Sequence, residues 1–252
     1  MYGNEADLPD PVPFATLIGV GVGPGDPDLV TFQAVDTLTK ADVVFVPVVS
    51  PEETGRAEQV VLGFVEAWRV DQVVFPHDAG DGPAAWDAAV AHVADWLLAH
   101  PGAVAAYATT GDPGMHSAFP AFARAVAESV PGLEITFVPG ITPMQAIAAR
   151  RGEPIVEPGE SLAVLAGPPD EERLRESLAT FDRVVAERVG PKLPAALAEL
   201  ATADRLDGAV VGAVGGPRGP QLHDAASLPA DARLPYLSTL VVPARRRTEA
   251  TR

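Results

Sequence analysis

GVGVGPGDPDLVT, residues 19–31, follows a short apolar run and gathers four glycines, two prolines and two aspartates. A glycine-rich turn after a strand often opens a phosphate-binding α/β domain. The spacing here is different. Gly19, Gly21, Gly23 and Gly25 alternate strictly, so G-x-G-x-x-G is not matched, and no G-K-[ST] follows. Pro24 and Pro27 carry no N–H and so remove donors that an anion cradle needs. A dinucleotide fold places an acidic residue for the ribose at the end of its second strand, and Pro47 stands there instead. The stretch therefore reads as a close-approach loop shaped by prolines, and a nicotinamide oxidoreductase fails on its spacing.

Outward from this loop, strand and helix patterns alternate. Strands are predicted at 15–22, 42–48, 72–76, 103–108 and 133–139. Helices are predicted at 27–41, 56–69, 84–100, from the turn after 108 to about Ser129, and at 142–152. Asp26 is expected to cap the first helix with Pro27 at its first position. This alternation predicts a mostly parallel sheet covered on both faces. After residue 155 the predicted strands are 161–167, 183–190, 208–215 and 236–244, with helices near 170–180 and 191–203. EPIVEPGE, with two prolines and a glycine, marks a boundary, giving α/β domains at 14–155 and 156–245 and a ligand cleft expected between them. Trp68, Trp86 and Trp96 fall at helical positions and are expected to pack. Ser238 and Thr239 read equally as edge-strand residues or as ligand contacts.

Composition narrows the function classes. The 252 residues are ample for two domains, and 47% hydrophobic residues suffice for real cores. A formal net charge of −16 argues against nucleic acid as a partner. No apolar run reaches the ~18 residues of a membrane span. MYGNEADLPDPVPF lacks a basic leader, so a cytoplasmic protein is expected. The absence of cysteine excludes thiolate metal sites, disulfides and cysteine nucleophiles, and the five histidines show no metal-ligand spacing.

Two further motifs follow predicted strands: TTGDPGMHSAF, 109–119, and VPGITPMQAIAARRG, 138–152, where Thr142 is placed to cap a helix. Ser117 lies five residues beyond Asp112 in the first of these. Open α/β sheets bind ligands at the carboxyl ends of their strands, where all three loops fall. The order GVGPGDP, TTGDPGMHS, VPGITPMQAIA resembles the tetrapyrrole (corrin/porphyrin) methylases, a class III methyltransferase fold, from about residue 15 to 244. AARRGEPIVEPGESLAVLAG and YLSTLVV are most similar to the members that methylate carbon 20 of precorrin-2. His116 stands where those members usually carry tyrosine. Glu187 and Arg188 stand where they carry methionine and lysine.

The resemblance implies S-adenosylmethionine as methyl donor and S-adenosylhomocysteine as product. It places Pro24, Gly111, Asp112, Met115, Thr142 and Ala146 at the cofactor, with Glu187, Val189, Ala213 and Gly215 toward its adenosyl part. A sulfonium methyl is already activated, so no catalytic triad is expected, and none is visible. His116 is the candidate for proton relay or substrate orientation. For a polycarboxylate substrate the arginine candidates are Arg56, Arg124, Arg150, Arg151, Arg188 and Arg218, with Arg188 and Arg218 preferred for their loop positions. The implied reaction converts precorrin-2, or its cobalt form, to the C20-methylated product, in a homodimer. Methylation at another ring position and a non-catalytic ligand-binding module are the alternatives.

Overall fold

The computed structural model describes residues 14–75, 82–213 and 220–245. Internal contacts divide the chain into two units. The first comprises the residues up to Val22 with Val30–Gly140, and the second comprises Gly23–Leu29 with the residues from Ile141. This division falls at Gly140, whereas the proline–glycine punctuation of the sequence lies near 155.

The first unit is built on β1 (Thr16–Gly21), β2 (Val43–Val48), β3 (Val70–Val74), β4 (Val104–Thr109) and β5 (Glu134–Val138). They form an all-parallel sheet of order β3-β2-β4-β1-β5. Side chains alternate across it. Leu17, Phe45, Ala105 and Tyr107 face one apolar cluster with α3 (Gly82–Ala99) and α4 (Phe119–Ser129). Val20, Val44, Val46, Ala106 and Ala108 face the other, with α1 (Phe32–Lys40) and α2 (Arg56–Val61). Both faces are covered, which is why these strands read as continuous apolar runs. Burial holds the Tyr107 hydroxyl well above the usual tyrosine range, so it stays neutral.

The helix expected at 27–41 starts later. Pro27–Leu29 is a single 3-10 turn, closed by Leu29 N–H donating to the Asp26 carbonyl, 2.9 Å. The Asp26 carboxylate accepts from Asp28 N–H two residues on, so it organises this turn and caps no α-helix. Val30 and Thr31 separate this turn from α1. Thr31, in extended conformation, then caps α1 by accepting from Ala34 N–H. The helix expected at 56–69 is likewise divided into α2 and a 3-10 turn at Ala67–Arg69. Trp86 and Trp96 pack against the α3–α4 cluster, but Trp68 is 81% exposed, contrary to expectation.

The second unit holds α5 (Pro143–Arg151), β6 (Leu162–Leu165), α6 (Glu171–Thr180), β7 (Arg183–Ala186), α7 (Leu193–Thr202), β8 (Val210–Ala213), β9 (Gln221–Asp224) and β10 (Thr239–Val242). Its sheet order is β6-β7-β10-β8-β9, parallel only between β6 and β7. Ser238 and Thr239 lie at the start of an interior strand, not an edge. The Ser238 hydroxyl donates to the Pro235 carbonyl, 2.7 Å. α5 packs on this sheet so closely that a Cβ at Gly212 would meet Ile147 Cδ1 at 2.4 Å.

Arg205 is 4% exposed and ties this unit together. Its guanidinium donates to the carbonyls of Leu178 at 2.9 Å, Asp182 at 2.6 Å and Pro243 at 2.8 Å. Burial lowers its pKa, and the three carbonyl acceptors offset that desolvation. Arg205→Met leaves buried carbonyls without their donor. We expect a loss of about 3 kcal/mol of stability, read as a lower urea midpoint at constant m. An unchanged midpoint would remove Arg205 from the supports of the fold.

Candidate functional site

The three motif loops leave adjacent strands of the first sheet, β4, β1 and β5. Gly21 stands opposite Thr109 and Val20 opposite Val138, so the strands end level and their loops emerge side by side. Val22 N–H donates to the Thr109 carbonyl at 2.9 Å, extending the ladder into the first loop. The backbones then touch. A Cβ on Gly21 would lie 2.6 Å from both the Gly111 carbonyl oxygen and Gly140 N. A Cβ on Gly140 would lie 2.1 Å from that same carbonyl oxygen. Glycine is required at 21 and 140 because backbone of the neighbouring loops fills the space. Gly19 has another reason: the Phe119 ring occupies the place of its side chain.

Asp112 joins two of these loops. Its Oδ1 accepts from Gly114 N–H at 2.8 Å within its own turn. Its Oδ2 accepts from Gly140 N–H at 2.9 Å, across to the loop after β5. Met115, 41% exposed, follows, and its N–H donates to the Asp112 carbonyl. Ser117 Oγ accepts from Phe119 N–H at 3.1 Å and leads the loop into α4. Five amides of this surface are engaged: Val22, Gly114, Met115, Phe119 and Gly140 each give their N–H to a protein oxygen. Prolines 24, 27, 113, 139 and 143 supply none. With these amides paired and five prolines in the loops, the surface differs from a phosphate cradle, whose N–H groups point at the anion.

The remaining expected residues fall as follows. Thr142 is buried and caps α5 in a reciprocal box: Gln145 Oε1 accepts from Thr142 N–H at 2.8 Å while Thr142 Oγ1 accepts from Gln145 N–H at 3.4 Å. Ala146 N–H bonds the Thr142 carbonyl one turn on. Pro24 is buried in the segment Gly23–Leu29. In the second unit, Glu187, Arg188 and Val189 form the loop after β7. Glu187 is 7% exposed and its N–H donates to the Leu165 carbonyl, while Val189 N–H donates to the Ser238 carbonyl. The Arg188 guanidinium lies 5.7 Å from the Tyr236 ring centroid, within cation–π range. Ala213 pairs with Gln221. Gly215 and Arg218 lie outside the described residues. Arg124, Arg150 and Arg151 are exposed on helices, and Arg151 pairs with Glu153 at 2.9 Å. Arg56, half-buried, opens α2.

His116 and Arg188 share a backbone feature, φ of 53° and 55°, that non-glycine residues adopt at a cost of about 1–3 kcal/mol. Among the described residues no group of three His, Asp or Glu is placed to hold a metal ion, and no helix is long and apolar enough to cross a membrane. Cavities of about 510 and 550 Å³ in the second unit flank Arg205 and Arg245, and of the three motifs only Arg151, on α5, lines one of them. Residue-by-residue reading missed Gly21 and Gly140. Their signal is a glycine at a predicted strand end in each of two motifs.

Residues 16–220 match the tetrapyrrole (corrin/porphyrin) methylases, and the chain belongs to that family. It is 31% identical over 242 residues to a precorrin-2 C(20)-methyltransferase of Sinorhizobium sp, covering 90% of this chain and 94% of that protein. It is 29% identical to a cobalt-precorrin-2 C(20)-methyltransferase of Salmonella typhimurium, covering 90% and 95%. The crystal structure of a cobalt precorrin-4 methyltransferase superposes with a TM-score of 0.66 at 18% identity, covering 90% of this chain and 94% of that one. Uroporphyrin-III C-methyltransferase of Thermus thermophilus, crystallised with S-adenosylhomocysteine, gives 0.62 at 18% identity, covering 91% and 97%. These two structures share the fold.

Gly140→Ala is expected to destabilise the protein by about 1–3 kcal/mol, because the displaced neighbour is backbone. Gly82→Ala, where a Cβ meets nothing within 4 Å, serves as the control. Chemical denaturation of the pair checks this, and equal stabilities would contradict the close contact.

Proposed function

We propose that the chain transfers the methyl group of S-adenosylmethionine to carbon 20 of precorrin-2, releasing S-adenosylhomocysteine and giving precorrin-3A. The near-full-length similarity to two relatives bearing the C(20) name carries this reading.

The donor supplies a methyl group already activated on a sulfonium. Main-chain groups of Gly111 and Met115, with Pro24, Thr142 and Ala146, hold its methionine part. Glu187, Val189, Ala213 and Gly215 are assigned to the adenosyl part on the resemblance. Arg188 and Arg218 take carboxylates of the substrate as planar forks. Carbon 20 is a meso carbon with enamine character. Its electron pair forms the new C–C bond as the C–S bond breaks, and the proton it carried must then leave. His116 is placed by this reading to accept that proton. The protein's main contribution is alignment and exclusion of water. The family resemblance further implies a homodimer in the cytoplasm, and light scattering at twice the chain mass tests the former.

Purified protein should bind S-adenosylhomocysteine in calorimetry and place one methyl group on precorrin-2, at carbon 20 by NMR. No binding at millimolar ligand would overturn the reading, and preference for cobalt-precorrin-2 would redirect the substrate. His116→Asn keeps a residue that tolerates left-handed backbone and removes the proton acceptor. It should lower kcat by about 100-fold with S-adenosylhomocysteine affinity unchanged. An unaltered kcat would release His116 from the proton role.

A further inference from the structure

We infer that Asp112 is a positioning residue that fixes the loop after β5 onto the loop after β4 before any ligand arrives, and that it makes no bond of its own to the methyl donor. The ligand part of this inference rests on the function proposed above. The resemblance alone would place this carboxylate at the methionine part of the cofactor. The geometry points elsewhere. Both carboxylate oxygens are aimed at backbone: Oδ1 at Gly114 N–H, 2.8 Å, and Oδ2 at Gly140 N–H, 2.9 Å. The second bond spans 28 residues and ends on the glycine whose missing side chain lets the loops touch. Shape and charge therefore act on the same pair of loops. Gly140 must be glycine to approach, and Asp112 holds it there with a charge-assisted bond. Holding a binding surface in its bound form lowers the ordering cost of binding.

Two variants and two ligands test this. In the ligand-free protein, Asp112→Ala should speed amide hydrogen exchange at Gly114 and Gly140 by about tenfold or more, the loss of a hydrogen bond to a charged group. Asp112→Asn keeps one acceptor oxygen and should speed exchange at only one of the two. Unchanged exchange at Gly140 in Asp112→Ala would overturn the inference, whatever the ligand. For binding, S-adenosylhomocysteine is compared with 5′-methylthioadenosine, which lacks the amino-acid part. A positioning role weakens both by the same factor, about tenfold, and raises the donor KM more than it changes kcat. Loss confined to S-adenosylhomocysteine would mean direct contact and overturn the inference. Failure of the unaltered protein to bind either ligand would instead overturn the proposed function, leaving the exchange result to decide on Asp112.

Discussion

Three parallel strands that end level force their outgoing loops into one narrow space, and the loops after β1, β4 and β5 resolve this by bringing bare backbone together. The Gly111 carbonyl oxygen sits where side chains at both 21 and 140 would have to go. Any Cβ at either position must displace main chain, which has far less freedom to yield than a flexible side chain. The identities at 21 and 140, the Asp112 bridge, and the run of prolines between them follow from this one constraint. Prolines stiffen these segments, and Val22, Gly114, Met115 and Gly140 donate to oxygens of Thr109 and Asp112.

That internal pairing changes what the surface can bind. A phosphate-binding turn leaves several N–H groups unengaged and points them outward. Here the amides of Val22, Gly114, Met115 and Gly140 donate to Thr109, Asp112 and one another's loops. The glycine-rich appearance of residues 19–31 is therefore about packing, and the resemblance to a nucleotide loop is superficial in a physical sense. The second unit solves an analogous problem with charge. Arg205 collects three carbonyls from the end of α6, the turn before β7 and the exit of β10, in place of a local cap.

The legible parts of the sequence were those where one local signal faced no rival. The interior strands of the first sheet, β1, β2 and β4, are largely buried and read as apolar runs. Thr142 has the single obvious cap chemistry before α5 and serves as that cap. The start of α1 was misread because Asp26 and Thr31 are both good caps five residues apart, and local sequence does not decide between them. β9, QLHD, escaped because a short polar edge strand carries little hydrophobic pattern. Trp68 sits in a pattern that continues as helix on paper but breaks after Val61, leaving the ring exposed. At the candidate site, the turn residues are visible in sequence. The contact between Gly21, Gly111 and Gly140 is not, because it depends on strand register.

Among the described residues, the three non-glycine residues with left-handed backbone separate into two kinds. Asp204 closes α7: its own N–H reaches the Ala201 carbonyl and the next N–H, of Arg205, reaches Leu200 at 2.8 Å. This is the usual helix-ending motif, in which the conformation is the purpose and the side chain is incidental. His116 and Arg188 end no helix. Each lies in a loop leaving a strand, where glycine would adopt the same φ without strain. Histidine and arginine there cost backbone strain that glycine would not. For Arg188, part of the return is visible as its approach to the Tyr236 ring. A residue retained against its backbone preference is retained for its side chain. For His116 and Arg188 the strained backbone is a ground for testing the side chain, an imidazole in one and a guanidinium in the other.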